Sequence, residues 1–523
     1  MNKYKELKNF FLAKYNFFGK NINNNENVLM VDRGRIDASI INSLLSLAVS
    51  IKYKSDIIIL SDLSSDNLII KIYKHLGFKR YIKGTNKIQY IKNYLLTFYS
   101  LIITLWAISN IKLNGFVWFI KNFRINKIPF GDLIYDTNIR FDHRYMSPQL
   151  DFKFIKLLMS STFRILLVMK YFKKYKIKKV IVGTENYSFN SGVALRISIF
   201  KNIKNYYPSR TSDTEIEIGT DNKKKLYLGK DNIRNTLIKK NFKKFRPSKK
   251  EIDSFYLSRK NQTNRKFIWT LNSFKNANMQ SKEGLKFLKQ ISKIKGKKIL
   301  YASHAFSDAA HQKGLIYSFN DFYDQFISTL SYVYKEDNKN IWIFRSHPSS
   351  KIWNEDKYFK KDLKKFRKKN IFICPINVPI IELYKICDVV VTGSGTAGLE
   401  FICEGKNAVL AGCAAYSNNK LTPYYAKNKD QYFEYLKKID LLKKTEETQI
   451  NEAKKMLYFY ESGKFITKKI DSDLIKKDRI AKKFFLNQFG MGLDQKDYIK
   501  LVHNMLSKNI LKSKVFNKMV DLV

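Results

Sequence analysis

Three times between residues 298 and 412 a short apolar run gives way to a small or polar tip and then to a helical pattern. Lys298 to Ala302 reads as a strand that runs into Ser303-His304. Ile341 to Phe344 reads as a strand that runs into Arg345-Ser346-His347-Pro348. Val389 to Val391 reads as a buried strand, followed by the small residues Thr392 to Thr396 and a helix from Ala397 to Cys403. Strands rich in Val and Ile, separated by helical stretches, predict a parallel sheet covered by helices. Ligands of such sheets bind beyond the carboxyl ends of the strands, so the three polar tips are expected along one edge.

The turn at Asp388–Glu400 adds chemistry. A small-residue turn between a strand and a helix N-terminus aims several backbone N–H groups at one spot, where the helix dipole also favours a phosphate. Ser394 and Thr396 add hydroxyl donors around Gly395. The same run spells Gly393-x-Gly395-x-x-Gly398, the dinucleotide fingerprint. That reading is set aside, because the fingerprint belongs to a first βα unit with an acid at the end of the next strand. Here the next strand, Asn407 to Ala411, ends in Gly412-Cys413. Two other readings stay open: a phosphate cradle, and a glycine turn that packs a helix onto a sheet. Three of the chain's six His (His304, His311, His347) fall in this region beside Arg345, which favours a site.

The chain has 523 residues, enough for two domains with full cores. Its 45% hydrophobic content excludes wholesale disorder. None of the four Cys forms a C-x-x-C pair, which argues against a zinc site and fits a reduced, cytoplasmic location. The net charge of +52 has two readings. One is a chain-wide bias toward Lys, Asn and Ile. The other is attraction to a polyanion. Arg is rare relative to Lys and no zinc-finger, RRM or KH signature is present, so nucleic acid is not the expected partner. An anionic membrane surface is. Residues 1–27 are basic and Asn-rich, without the small-residue cleavage site of a signal peptide. Asn93 to Ile111 is uncharged and bounded by Lys92 and Lys112. It is marginal in length for a span, and is expected as a buried or interfacial helix. With Phe116 to Ile120 it predicts a docking face for a peripheral protein at the inner face of the cell membrane.

The first half repeats the βα pattern. Strands are expected at Val28–Val31, Asp56–Leu60 and Lys179–Val182, with helices at Ala38–Tyr53, Leu68–Leu76 and Phe152–Tyr175. The domains follow: a basic segment 1–27, an α/β domain 28–237 with an apolar region 93–120, a Lys-rich connection 238–266, an α/β domain 267–430 opening at Phe267–Leu271, and helices 431–523 without strands.

Several motifs resemble those of bacterial capsule and surface-polysaccharide biosynthesis proteins, including glycosyltransferases of the Kdo-transferase type. Ser303-His-Ala-Phe-Ser-Asp-Ala-Ala-His311 is similar to their "sDapH" motif, with Ala310 where Pro is usual. Arg345-Ser-His-Pro348 resembles their "HP" motif. Gly393–Glu400, Glu404-Gly-Lys406 and Ala411–Tyr416 resemble their Ser/Thr-Glu block, with Asn407 where Pro is usual. Gly131-Asp-Leu-Ile-Tyr-Asp136 with Arg140 resembles a motif nearer the N-terminus. The resemblance implies a GT-B glycosyltransferase: two Rossmann-like domains facing across a cleft, with C-terminal helices crossing back to the first. The second domain would hold a nucleotide-sugar donor, a CMP-sugar by preference. The first would hold a polysaccharide or lipid-linked glycan acceptor.

On that reading His304, Arg345, His347, Pro348, Ser394, Gly395, Thr396 and Glu400 grip the donor. Glu400, one turn beyond Thr396, would accept from ribose hydroxyls. The base that activates the acceptor is sought among Asp308, His311 and Glu185, with Asp32 and Asp132 also open; Glu185 stands where His or Asp is more familiar. No metal or cofactor is expected, since no Asp-x-Asp pair sits near a strand end; Asp471-Ser-Asp473 lies in the tail. Competing readings are a CDP-glycerol-type polyol-phosphate transferase, a UDP-sugar epimerase and a non-catalytic peripheral scaffold of polysaccharide assembly.

Overall fold

The structure is a computed structural model. It describes residues 26–32, 36–63, 68–75, 78, 80–142, 149–182, 187–189, 191–212, 215–221, 241–260, 282–311, 316, 318–351, 353–414, 416–417, 421–461, 469–470 and 514–523. The strands in chain order are β1 (Asn27–Val31), β2 (Asp56–Ser61), β3 (Arg80–Lys83), β4 (Arg124–Ile125), β5 (Ile128–Pro129), β6 (Ile177–Ile181), β7 (Lys204–Ser212), β8 (Glu215–Asp221), β9 (Lys298–Ala302), β10 (Ile341–Arg345), β11 (Ile371–Ile373), β12 (Val389–Thr392), β13 (Asn407–Leu410) and β14 (Lys469–Ile470). The chain is mixed α/β and divides into two units. One contains residues 1–134, 150–224 and 466–523; the other contains 135–149 and 225–465.

The first unit holds a seven-stranded sheet in the order β14-β8-β7-β6-β1-β2-β3. From β7 through β3 all neighbours are parallel, while β7–β8 and β8–β14 are antiparallel. The expected strands at 28–31, 56–60 and 179–182 lie at its centre as β1, β2 and β6. The antiparallel extension was not expected. It includes β14, in a tail whose charged, helix-like pattern shows no strand. The helix Lys514–Leu522 and the residue after it add Phe516, Met519 and Val523 to this unit's core, beside Leu44, Ala48 and Ile59. The unit also buries an ion pair. Arg196 is paired with both carboxylate oxygens of Asp132 and donates to the Pro129 carbonyl at 2.9 Å.

The second unit is built on a five-stranded, wholly parallel sheet ordered β11-β10-β9-β12-β13. Its core is aromatic. Tyr301, Trp342 and Phe344 from the strands pack with Phe326 and Phe359 from helices, and the Trp342 indole N–H is satisfied by Asp337 at 2.9 Å. Asp388 ties the start of β12 to β9. Its amide donates to the Lys298 carbonyl, and its carboxylate accepts from the Lys298 amide, each at 2.8 Å.

The Lys-rich stretch 238–266 is more than a connection. It contains the helix Lys249–Lys260, which packs on the helix Glu447–Glu461. Phe245 lies 4.9 Å from Phe459, and Phe255 lies 4.9 Å from Tyr458. Phe245 and Phe255, dispersed among lysines, make these contacts, which an aliphatic periodicity test does not register. The expected opening strand at Phe267–Leu271 lies outside the described residues.

The Asp132–Arg196 pair gives a stability test. In Asp132→Ala the Arg196 guanidinium loses its carboxylate in a buried setting. Removing one member of such a pair costs about 3–5 kcal/mol. Chemical denaturation should show a loss of that size with an unchanged slope. A loss below about 1 kcal/mol, the scale of a surface pair, would contradict the assignment.

Candidate functional site

Strand register brings the polar tips together. Ala302 of β9 is level with Arg345 of β10 and with Thr392 of β12, and Thr392 is level with Leu410 of β13. All four strands run the same way, so the residues that follow these four form one row at the carboxyl edge. The row is knitted by hydrogen bonds that continue past the strand ends. The Ser303 amide donates to the Arg345 carbonyl at 3.0 Å, and the Thr392 hydroxyl donates to the Ala302 carbonyl at 2.8 Å. The Gly412 amide donates to the Gly393 carbonyl at 2.8 Å.

The strand order singles out one point on this edge. From β9 the chain moves outward through β10 to β11, then returns to the other side of β9 as β12 and continues to β13. The connections leave β9 and β12 in opposite directions. In open parallel sheets, that reversal leaves a crevice in which ligands bind. His304 follows β9 and Ser394 follows β12, and they meet there. The Ser394 amide donates to His304 Nε2 at 3.1 Å, with the Ser394 hydroxyl 3.3 Å from the same nitrogen. With Nε2 accepting, the imidazole carries its proton on Nδ1. Its ring stacks on Phe322 at 4.1 Å and lies parallel to His347, with centroids 6.3 Å apart.

Electrostatics keeps both rings neutral. Burial pulls His304 down to about 3, helped by His347. Burial and then the Arg345 guanidinium pull His347 down to about 4. The Arg345 side chain is itself buried and donates to the Val378 carbonyl at 2.9 Å. The edge therefore offers polar, uncharged imidazoles backed by one fixed cation.

The glycines of the turn have packing reasons. A Cβ on Gly393 would lie 2.8 Å from Phe322 Cε1 and 3.1 Å from His304 Cδ2. On Gly398 it would lie 2.5 Å from Tyr416 Oη and 2.8 Å from Leu410 Cδ2. The first glycine admits the His304–Phe322 stack, and the last lets the helix Ala397–Cys403 lie against β13. That helix has only seven residues, so its dipole is short. The Ser394 amide, expected to face a ligand, is engaged by His304. Glu400, expected to meet a ribose, is buried and takes a hydrogen bond from Tyr384 Oη. Tyr416 Oη donates to the Gly395 carbonyl. Thr396 is exposed at the helix start, and Pro348 opens a short 3-10 turn, Pro348–Lys351.

The other expected site residues divide. Asp308 is exposed on the loop that leaves β9. His311, at the end of that loop, is 1% exposed; its Nδ1 lies 2.8 Å from Asp136 Oδ1. Asp32 is held by the hydroxyls of Ser39, Ser61 and Tyr73 at 3.0, 2.7 and 2.7 Å, and Asp132 is consumed by Arg196. Glu185 lies outside the described residues. Sequence reasoning missed the residues that shape the 303–311 loop. Glu355 accepts from the Phe306 and Ser307 amides at 2.9 and 2.7 Å. Asp136 accepts from the His311 amide at 3.1 Å as well as from its ring. Arg140 reaches the Ser307 hydroxyl at 3.3 Å and lies 3.7 Å above the Trp353 ring. Asp136 and Arg140 had a signal, their place in a quoted motif. Glu355, in Asn354-Glu355-Asp356, had none.

Residues 260–453 match the family of capsule polysaccharide biosynthesis proteins. The resemblance carried by Ser303–His311, Arg345–Pro348 and Gly393–Glu400 holds, since all three motifs fall inside the matched segment. Comparison with curated proteins gives no significant match. Among solved structures, the chain is similar to Thermosulfurimonas dismutans KpsC, beta Kdo 2,7 transferase, at 16% identity over 49% of this chain and 71% of that one, TM-score 0.26. It is also similar to Thermosulfurimonas dismutans KpsC, beta Kdo 2,4 transferase, at 10% identity over 54% and 79%, TM-score 0.28. A third is the UDP-GlcNAc 2-epimerase from Neisseria meningitidis bound to UDP-GlcNAc, at 11% identity over 84% and 99%, TM-score 0.24. At such TM-scores the likeness carries no inference about activity, and the α/β assignment stands on the two sheets themselves.

The depressed histidines make acid stability a probe of this sheet edge. An imidazole that titrates near 6.5 when unfolded but at about 3 or 4 when folded lets the unfolded chain bind more protons. The stability it contributes is complete above about 6.5 and is lost as pH falls toward the folded values. Asp321, which burial pushes up to about 6, acts in the opposite sense over part of this range, so the readout is a difference. Between pH 7 and about 4.5, the melting temperature of His304→Gln should fall less than that of the wild type. Parallel curves would show that His304 is not held neutral.

Proposed function

We propose that this protein is a glycosyltransferase of capsule or surface-polysaccharide synthesis, with a nucleotide-activated sugar as donor. One observation carries the reading: at the reversal point of the second sheet, within a segment matching capsule-synthesis proteins, His304 and Ser394 meet beside His347 and Arg345. Those groups suit the leaving phosphate of a sugar nucleotide. Imidazole N–H and hydroxyl groups donate hydrogen bonds, and the fixed guanidinium offsets the growing negative charge at short range. A CMP-sugar is the donor to test first, on the motif resemblance.

In the transfer, the acceptor hydroxyl oxygen bonds to the anomeric carbon of the donor sugar. The bond from that carbon to the phosphate oxygen breaks, and its electron pair stays on the phosphate. The hydroxyl proton passes to a base. Asp308 and His311 share one loop, but only Asp308 is exposed, so Asp308 takes the proton in this proposal. His311, clasped by Asp136, fixes the loop that carries it. The proposal extends to transfer without a divalent ion; among the described residues no three His, Cys, Asp or Glu side chains are arranged to hold one.

A panel of CMP-, CDP-, UDP- and GDP-sugars should contain one that raises the melting temperature. His347→Ala and Ser394→Ala should abolish that rise without lowering the melting temperature of the free protein. With an acceptor, each should reduce turnover by about 10²-fold, and activity should persist in EDTA. Turnover of donor by both variants at the wild-type rate would overturn the site. Transfer of an intact glycerol phosphate from a CDP donor would replace the reading with the polyol-phosphate one.

A further inference from the structure

The helix Tyr94–Asn122 in the first unit is amphipathic in the reverse of the usual sense. Its inward stripe is Ser100, Thr104, Ala107 and Ile111, all buried at helical spacing. Its outward residues are large and apolar: Tyr94, Phe98, Leu105 and Leu113 are 70%, 61%, 57% and 79% exposed, with Ile102 and Trp106 nearly half exposed beside them. Only 22% of its most apolar 18-residue window is buried. The sequence-based expectation of a buried or interfacial helix is thus resolved against burial. Contiguous apolar surface on this scale marks an interaction face.

Charge identifies the occupant. Between residues 67 and 131 there is no Asp or Glu. Lys87, Lys92, Lys112, Lys121, Arg124 and Lys127 are all exposed along and beside this helix. Apolar side chains bordered by cations, with Trp and Tyr among them, match the boundary between acyl chains and anionic headgroups.

Geometry argues for lying on the bilayer rather than crossing it. The helix runs antiparallel along the helix Phe152–Lys174: Lys170 Nζ reaches Asn93 Oδ1 at 2.7 Å at one end, and Phe116 lies 5.1 Å from Phe154 at the other. That neighbour exposes Lys153, Lys156 and Lys170 and carries the buried Arg164, which is paired with Asp62. It cannot follow its partner through hydrocarbon. The Tyr94–Asn122 helix also breaks at Gly115, where φ is 74°. Across the break Trp118 returns to 5.5 Å from Trp106, whereas twelve residues of straight helix advance about 18 Å.

We infer that the outward face of residues 94–122 docks the protein onto an anionic lipid surface, inserting its apolar side chains to headgroup depth without spanning. This is independent of which donor the second unit takes. The test is flotation of the full chain with vesicles of phosphatidylcholine alone or mixed with phosphatidylglycerol, at low and high salt. The wild type should float with the anionic vesicles and be released by high salt. The pair Phe98→Glu and Leu105→Glu, on the exposed face, should reduce the floated fraction by about tenfold or more with an unchanged melting temperature. Should that pair unfold the chain, the charge reversals Lys112→Glu and Lys121→Glu supply the same readout. Absence of wild-type flotation, equal flotation of the folded variants, or salt- and carbonate-resistant flotation with neutral vesicles would each overturn the proposal, the last in favour of a span.

Discussion

The central position of β9 is the constraint on which the second unit depends. β9 is flanked by β10 on one side and β12 on the other, both parallel to it and level with Ala302. The polar tips that follow Ala302, Arg345 and Thr392 therefore leave the sheet at the same height. Asp388 enforces this alignment from below through two hydrogen bonds to Lys298. Thr392 does so from above through the Ala302 carbonyl. A shift of one residue in β12 would move Ser394 away from His304 and turn the buried valines toward the wrong face.

The site edge is rigid because its parts lean on one another. Phe322 supports the His304 ring, Gly393 leaves room for that stack, and Tyr416 holds the Gly395 carbonyl. The loop leaving β9 is held by carboxylates at both ends, Glu355 near its start and Asp136 at its finish. Such support holds hydrogen-bonding groups in place, the condition under which the proposed stabilisation of a leaving phosphate gains most.

Much of this was legible in the sequence, for an identifiable reason. Buried parallel strands are short apolar runs with abrupt polar ends, and β9, β10, β12 and β13 read that way to within a residue or two. The convergence of His304, His347 and Ser394 followed from strand direction alone. What was not legible depended on partners distant in sequence. The turn at 393–398 reads as a phosphate loop, yet Gly393 and Gly398 are required by Phe322 and Tyr416. His311 read as a candidate base, yet it is buried against Asp136. Glu355 carries no pattern at all. In the first unit, β7 and β8 contain too many polar residues to stand out. The region 93–120 reads as apolar, but which face is covered depends on the small residues Ser100, Thr104 and Ala107.

The central claim is that a sugar nucleotide's phosphate is received at the β9–β12 reversal point. The most direct measurement is NMR of the histidine rings, of which the chain has six. When the nucleotide that stabilises the protein is titrated in, the account predicts that the ring signals of His304 and His347, assigned by single substitution, shift together and saturate with it. Saturation binding that leaves both signals unmoved would contradict the account and place the nucleotide elsewhere.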